Sequence, residues 1–230
     1  KDIAKPQLLS YNDHMHRIQV GCGYSPIKGW TNYDFNKFVF VAKTPVIRQF
    51  FYRSSFLPEG YKKFMRKVEE DNIQFANAGK HIPELSNSVD ILYSSHMLEH
   101  LDKEETDTFL KEAYRVLTPG GYIRIVVPDF DTLIHLYQQN KDPEAFLEAS
   151  CLVGAKPKKW IKKLQYIIQG HGWHFSMYNA QTLRHLFRNY GFVNVLNLKQ
   201  GETYIPNIEG VNLSAHQGIS LYLEAQKPSE

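Results

Sequence analysis

Residues 122–127, Tyr-Ile-Arg-Ile-Val-Val, form a nearly continuous apolar run, and a strand of that character is stable only where both of its faces are covered. The run predicts the centre of a sheet. Around it the pattern alternates between short β-like runs and longer helix-like ones, which argues for βαβ units built on a largely parallel sheet. Residues 17–20 read as the first strand and 30–34 as the second, an unusually short crossover. Residues 73–76 read as the third strand, and 89–93 as the fourth, running into Ser94-Ser95. Residues 192–198 and 219–225 read as a closing pair. The predicted architecture is a doubly wound α/β sheet, mostly parallel, with a C-terminal antiparallel β-pair.

Between the strands, residues 104–117 place Phe109, Leu110, Ala113, Val116 and Leu117 at the spacing of an amphipathic helix, which Pro119-Gly120-Gly121 should stop. Residues 36–70 are rich in aromatics and lysines, with Pro45 and Pro58-Glu59-Gly60 as breakers, and predict one or two helices. Residues 182–190 predict another, ending at Gly191. From 130 to 168 the chain turns helical and basic, densest at Lys156 to Lys163. That run is either a solvated helix face with Trp160, Ile161 and Leu164 turned inward, or a lid over a substrate pocket.

A length of 230 residues with 43% hydrophobic content suits one domain over 1–230, with 130–178 a helical, lid-like insertion. The initial Lys1, in place of methionine, reads as an excised domain or a trimmed sequence. A net charge of only +3, with both signs dispersed, argues against a dedicated nucleic-acid binder. No run approaches the ~20 apolar residues of a membrane span, and the N-terminus lacks a signal-like apolar segment. Cys22 sits inside a glycine turn, where a disulfide would obstruct a ligand, so a reducing, cytoplasmic setting is expected.

Val20-Gly21-Cys22-Gly23 ends the first strand in a Gly-x-Gly turn, which lets main chain approach a ligand closely. A tight structural turn would look the same. The dinucleotide fingerprint fails because Pro26 stands where its third glycine belongs, and a ligand without a pyrophosphate fits better. Asp34, ending the second strand, could accept hydrogen bonds from a ribose; the alternative is a solvated turn aspartate. His96-Met97-Leu98-Glu99-His100 matches the H-x-x-E-H pattern of some zinc peptidases, which would need both histidines on one helical face and a third ligand downstream. Support for the loop after the fourth strand is the simpler reading, and no metal is expected. Asp129 follows the fifth strand, as a catalytic group or as a helix cap. His171 and His174 lie in an aromatic, glycine-interrupted stretch that suggests a pocket wall.

In order along the chain, Val20-Gly21-Cys22-Gly23, Asp34, Ile82-Pro83, Ser88-Val89-Asp90, Ser94 to Leu101, Arg115 to Gly121 and Tyr190-Gly191-Phe192 resemble the class I S-adenosylmethionine-dependent methyltransferases, which share a Rossmann-like fold. The short interval to Asp34 and Val127-Pro128-Asp129 resemble a subgroup associated with polysaccharide biosynthesis. The resemblance implies S-adenosyl-L-methionine as cofactor. Gly21, Cys22 and Gly23 would border its methionine part, Asp34 would hold the ribose, Asn77 and Ala78 would flank the adenine, and Ser94 would offer main-chain contacts to the amino group. Two departures stand out: Gln19 replaces an acidic residue, and Ser25 replaces a third glycine. The leading functional expectation is O-methylation of a sugar or another small hydroxylated acceptor, with His96, Asp129, His171 and His174 as candidate bases. N- or C-methylation of a small molecule or protein, and a non-catalytic cofactor-binding module, are the alternatives.

Overall fold

A computed structural model of the chain describes residues 15–54, 57–152 and 173–230. They form a seven-stranded sheet in the order β3-β2-β1-β4-β5-β7-β6. The strands are β1 (Arg17–Val20), β2 (Thr31–Asp34), β3 (Gln74–Phe75), β4 (Val89–Ser95), β5 (Leu117–Pro128), β6 (Val193–Leu198) and β7 (Ser220–Gln226). β1 to β5 run parallel, and β7 inserts antiparallel between β5 and β6. The expected sheet and its terminal antiparallel pair are present.

Seven α-helices lie among the described residues: α1 (Phe38–Ala42), α2 (Pro45–Arg53), α3 (Glu59–Glu70), α4 (Lys103–Val116), α5 (Phe130–Asn140), α6 (Pro143–Ser150) and α7 (Ala180–Asn189). Residues 36–70 therefore hold three helices where one or two were expected, because Pro45 starts α2 instead of ending structure and Pro58 precedes the first turn of α3. α4 starts at a capping box, Asp102 accepting from the Glu105 N–H at 2.9 Å while Glu105 Oε2 accepts from the Asp102 N–H at 3.3 Å. Its predicted apolar stripe is fully buried. Full burial of a Phe or Leu side chain contributes roughly 1.5–3 kcal/mol, so Phe109 and Leu110 hold α4 to the sheet more firmly than its cap does.

One boundary differs from the expected one. β5 begins at Leu117, so Pro119-Gly120-Gly121 lies inside the strand and does not merely separate helix from strand. Gly120, at φ 80°, donates its N–H to Lys227 O at 3.0 Å. The register with β4 slips between Val89 and Ile91, so the glycines absorb a bulge while pairing continues on both sides. Arg124, in the middle of the apolar run, is also buried: it pairs with Glu224 on β7, itself held by the Tyr204 N–H and the Thr203 hydroxyl.

The two faces of the sheet are covered differently. On one, Ile18, Val20, Leu92, Ile123 and Ile125 pack under α4 and α7. On the other, Ile91, Tyr93, Val126 and Tyr222 pack against Ile27, Trp30, Ile205 and Ile208, which belong to connections. The crossover over residues 21–30 contains no helix, and Trp30 is tied to the β6–β7 connection by its indole N–H on Glu209 O at 3.2 Å. Ligands of such sheets bind beyond the carboxyl ends of the strands, where this short crossover begins.

Candidate active site

The turn after β1 is built around close approach. Gly21 and Gly23 adopt φ of 71° and 52°, and a Cβ on Gly21 would stand 2.6 Å from Met97 Cγ, so the contact between this turn and the loop after β4 requires glycine. A Cβ on Gly23 would meet nothing within 4 Å. Open space lies there. Gly23 donates its N–H to Asp34 Oδ2 at 2.7 Å, and Asn36 donates to Oδ1 at 2.8 Å. Asp34 is 7% exposed, which rules out a solvated turn residue; burial pushes its pKa up, and the hydrogen bonds from Asn36 and Gly23 draw it back. A carboxylate has about four acceptor positions, so two are left for a ligand.

The thiol of Cys22 is packed among Phe38, Val39 and Met65, where burial pushes its pKa up, and its N–H and C=O bond to Tyr33 O and the Ser25 N–H. Cys22 therefore shapes the turn from behind. Gln19 is engaged on both sides: Nε2 donates to Ser25 O at 3.2 Å and Oε1 accepts from the Ile27 N–H at 3.0 Å. A carboxylate could accept but not donate, so the amide supplies both bonds here.

Ala76 donates to Asp34 O at 3.0 Å, which carries Asn77 and Ala78 to the side of Asp34; Asn77 Oδ1 closes a local turn by accepting from the Gly79 N–H at 3.1 Å. Ser94 lies one residue past the Gln19–Tyr93 register pair, 1% exposed, with its hydroxyl unpartnered. Gly21, Gly23, Asp34, Asn77, Ala78 and Ser94 thus gather at the ends of neighbouring strands. Open space at Gly23, free acceptor positions on Asp34 and an unused Ser94 hydroxyl fit a ligand rich in hydroxyl and amino groups.

A second group of residues follows β4. His96, at φ 51°, is anchored by its N–H on Val126 O at 2.8 Å. Its Nε2 lies 2.9 Å from Ser220 Oγ, its Nδ1 3.2 Å from Glu99 Oε1, and its ring stacks on His216 with centroids 3.9 Å apart. Burial lowers the pKa of His216, helped by neighbouring His96. Glu99 is 1% exposed, and its main-chain oxygen accepts from the N–H groups of Phe175 and Ser176. These bonds bring His174 over Glu99, its Nε2 3.9 Å from Oε1; burial lowers the His174 pKa, against the opposing pull of Glu99.

Residues 98–100 form one 3₁₀ turn with His96 outside it, so the paired histidines of the peptidase reading do not share a helical face. Asp129 caps α5, accepting from the Asp131 N–H at 3.2 Å and the Thr132 hydroxyl at 2.8 Å, so both carboxylate oxygens are engaged. His171 lies outside the described residues. Sequence reasoning missed Ser220 and His216 as neighbours of His96. No local signal points to them, since 124 residues separate His96 from Ser220.

Residues 53–125, about a third of the chain, match the family described as a methyltransferase domain. Among proteins of curated function, none matches the chain in sequence. A solved S-adenosylmethionine-dependent methyltransferase from Methanosarcina mazei is 18% identical, with 99% of each chain covered and a TM-score of 0.51. Another from Archaeoglobus fulgidus is 15% identical over 93% of this chain and 86% of that one, with a TM-score of 0.50. A possible histamine N-methyltransferase from Thermotoga maritima is 17% identical over 92% and 81%, with a TM-score of 0.48. The family match to a methyltransferase domain lies over β3 to β5, and the Rossmann-like fold of the solved S-adenosylmethionine-dependent methyltransferases is shared over the whole sheet.

Proposed function

We propose that this chain is an S-adenosylmethionine-dependent methyltransferase that O-methylates a sugar or another small hydroxylated acceptor, with His96 as the base. The observation that carries the reading is the placement of His96 between Glu99 and Ser220. One ring nitrogen lies beside the Glu99 carboxylate and the other meets the Ser220 hydroxyl, which fixes the imidazole in the orientation a general base could use. A nitrogen or carbon acceptor would have less use for it.

The cofactor supplies an electrophilic methyl carbon on a sulfonium. Asp34 would hold its ribose through the two remaining acceptor positions, Gly21 and Gly23 would admit its methionine part, Asn77 and Ala78 would border its adenine, and Ser94 would meet its amino group. Cys22 would act by fixing the turn. The remaining work of the chain is to align the acceptor oxygen, exclude water and receive the hydroxyl proton at His96 Nε2, with the imidazolium stabilised by Glu99. His174, close to the same carboxylate, is the second candidate for this role. Asp129 is better suited to holding α5 at the rim of the site, and His171 is kept as a candidate on the sequence alone.

α5 and α6 would frame the acceptor pocket as the described part of the lid-like stretch over 130–178, whose basic run from Lys156 to Lys163 lies outside the described residues. The family associated with polysaccharide biosynthesis remains the preferred kinship, on the motifs that suggested it. No helix among the described residues is long and apolar enough to cross a membrane, and Cys22 and Cys151 are unpaired, which supports a reducing, cytoplasmic setting. The test is methyl transfer to a panel of mono- and oligosaccharides beside amines and a protein substrate. Transfer to saccharide hydroxyls is expected; transfer to amines or protein alone would remove the reading.

A further inference from the structure

Glu99 carries a problem that methyl transfer does not solve. It is 1% exposed, and neither of its carboxylate oxygens has a hydrogen-bond partner; His96 Nδ1 is 3.2 Å from Oε1 but without hydrogen-bond alignment. A buried carboxylate with unmet acceptors is costly unless a cation or donors complete it. Around it stand two further donors of the right kind. Glu99, His100 and His174 each offer a ligand atom, and these atoms lie within 4.8 Å of one another.

The histidines are also prepared. His100 donates its Nδ1–H to Trp173 O at 3.0 Å, which leaves Nε2 of the neutral ring with a free lone pair. That is how metal-binding histidines are usually oriented, the far ring nitrogen donating to a main-chain carbonyl. His174 is held by its own N–H on Cys151 O at 3.1 Å, its ring stacked edge-on to His100 at 4.8 Å. Two imidazoles and one carboxylate suit a borderline cation of the zinc type better than magnesium or calcium, which prefer all-oxygen sites.

We infer that Glu99, His100 and His174 bind one divalent transition-metal cation, with the remaining coordination positions left to water or to a ligand oxygen. The corners of a tetrahedron with ~2.1 Å bonds are roughly 3.4 Å apart, so donors within 4.8 Å need to close by up to about 1.4 Å, within reach of side-chain rotation. Three protein ligands with open positions is the pattern of a reactive site, whereas a purely structural site is closed by four. Such a cation could hold acceptor oxygens next to His96; that role, unlike the binding itself, rests on the proposed O-methylation.

The test uses untagged protein stripped with chelator and titrated with Zn²⁺, Co²⁺ and Mg²⁺, read by calorimetry and by the visible absorption of Co²⁺. One equivalent of Zn²⁺ and Co²⁺ should bind, with a low-coordinate Co²⁺ spectrum, and Mg²⁺ should not compete. His100→Ala and His174→Ala should each weaken binding by about tenfold or more, as should Glu99→Gln, while His135→Ala, at an exposed position on α5, should leave it unchanged. Circular dichroism and cofactor titration verify that each variant is folded, and His174→Gln replaces any alanine variant that is not. Absence of stoichiometric binding, or full binding by the folded His100 and His174 variants, overturns the inference. No acceptor is used, so its failure is separate from failure of the methyl-transfer reading.

Discussion

The glycine turn after β1 and the histidine cluster after β4 lie at the ends of neighbouring strands, yet they are held by opposite means. Side-chain bonds in the turn are local: Asp34 to Gly23 spans 11 residues, Gln19 to Ile27 spans 8, and Asn36 to Asp34 spans 2. In the cluster, His96 reaches Ser220 across 124 residues and His100 reaches Trp173 across 73. Closing a longer loop costs only slowly more entropy, so both arrangements are affordable. The difference is in what specifies them. The turn is specified by residue types at fixed short offsets, the cluster by the sheet register that brings β4, β7 and the segment before α7 to one edge.

If the comparison is right, the largest single effect should come from the cluster and should spare the turn. His96→Ala should lower turnover by about 10²–10⁴, the contribution of a general base, with cofactor affinity unchanged. Parallel rate measurements and calorimetry would separate the two, and near-native turnover would move the base elsewhere. Asp34→Ala should do the reverse, weakening cofactor binding by roughly 1.5–3 kcal/mol, the worth of a hydrogen bond to a charged group. Because Gly23 and Asn36 lose their acceptor as well, the melting temperature should fall, and an unchanged dissociation constant in folded protein would exclude Asp34 from the site.

A smaller change sharpens the local half of the comparison. Gln19→Glu keeps the acceptor for Ile27 but loses the donor to Ser25 O, so stability in urea should drop by about 1–2 kcal/mol, with turnover per folded molecule nearly intact. If stability is unchanged, the turn is not held by this amide. The smallest effect should come from a residue outside both regions. Glu112 is held to a pKa of about 2, mainly by Arg115 and by the Ile82 N–H. A carboxyl lowered in the folded state stabilises above its ordinary value of 4.5, and that stability is lost as pH falls through about 2. Glu112→Gln should therefore cost about 1 kcal/mol near neutrality, after allowance for solvent screening, and cost less as the pH approaches 2. Acid and neutral denaturation curves that shift equally would refute this.

Much of the frame was legible because its signals are local. The apolar run at 122–127 predicted a covered central strand, and the apolar spacing at 109–117 predicted α4. The glycines of 120–121 read as a stop, because a turn and a bulge use the same residues and only pairing with β4 and β7 tells them apart. Arg124 was invisible as a buried charge, since its partner Glu224 lies 100 residues away. Asp129 could be read as cap or reactive group, and its bonds to Asp131 and Thr132 are the part that structure adds.

By itself the sequence determined the strand and helix alternation, the glycine turn and the location of Asp34, because these depend on side-chain period and on backbone conformations that few residues adopt. The tertiary structure alone decided which groups face His96 and Glu99. Those contacts depend on strand order and register, so residues from β4, β7 and the segment before α7 share a few ångströms of space without leaving a pattern along the chain.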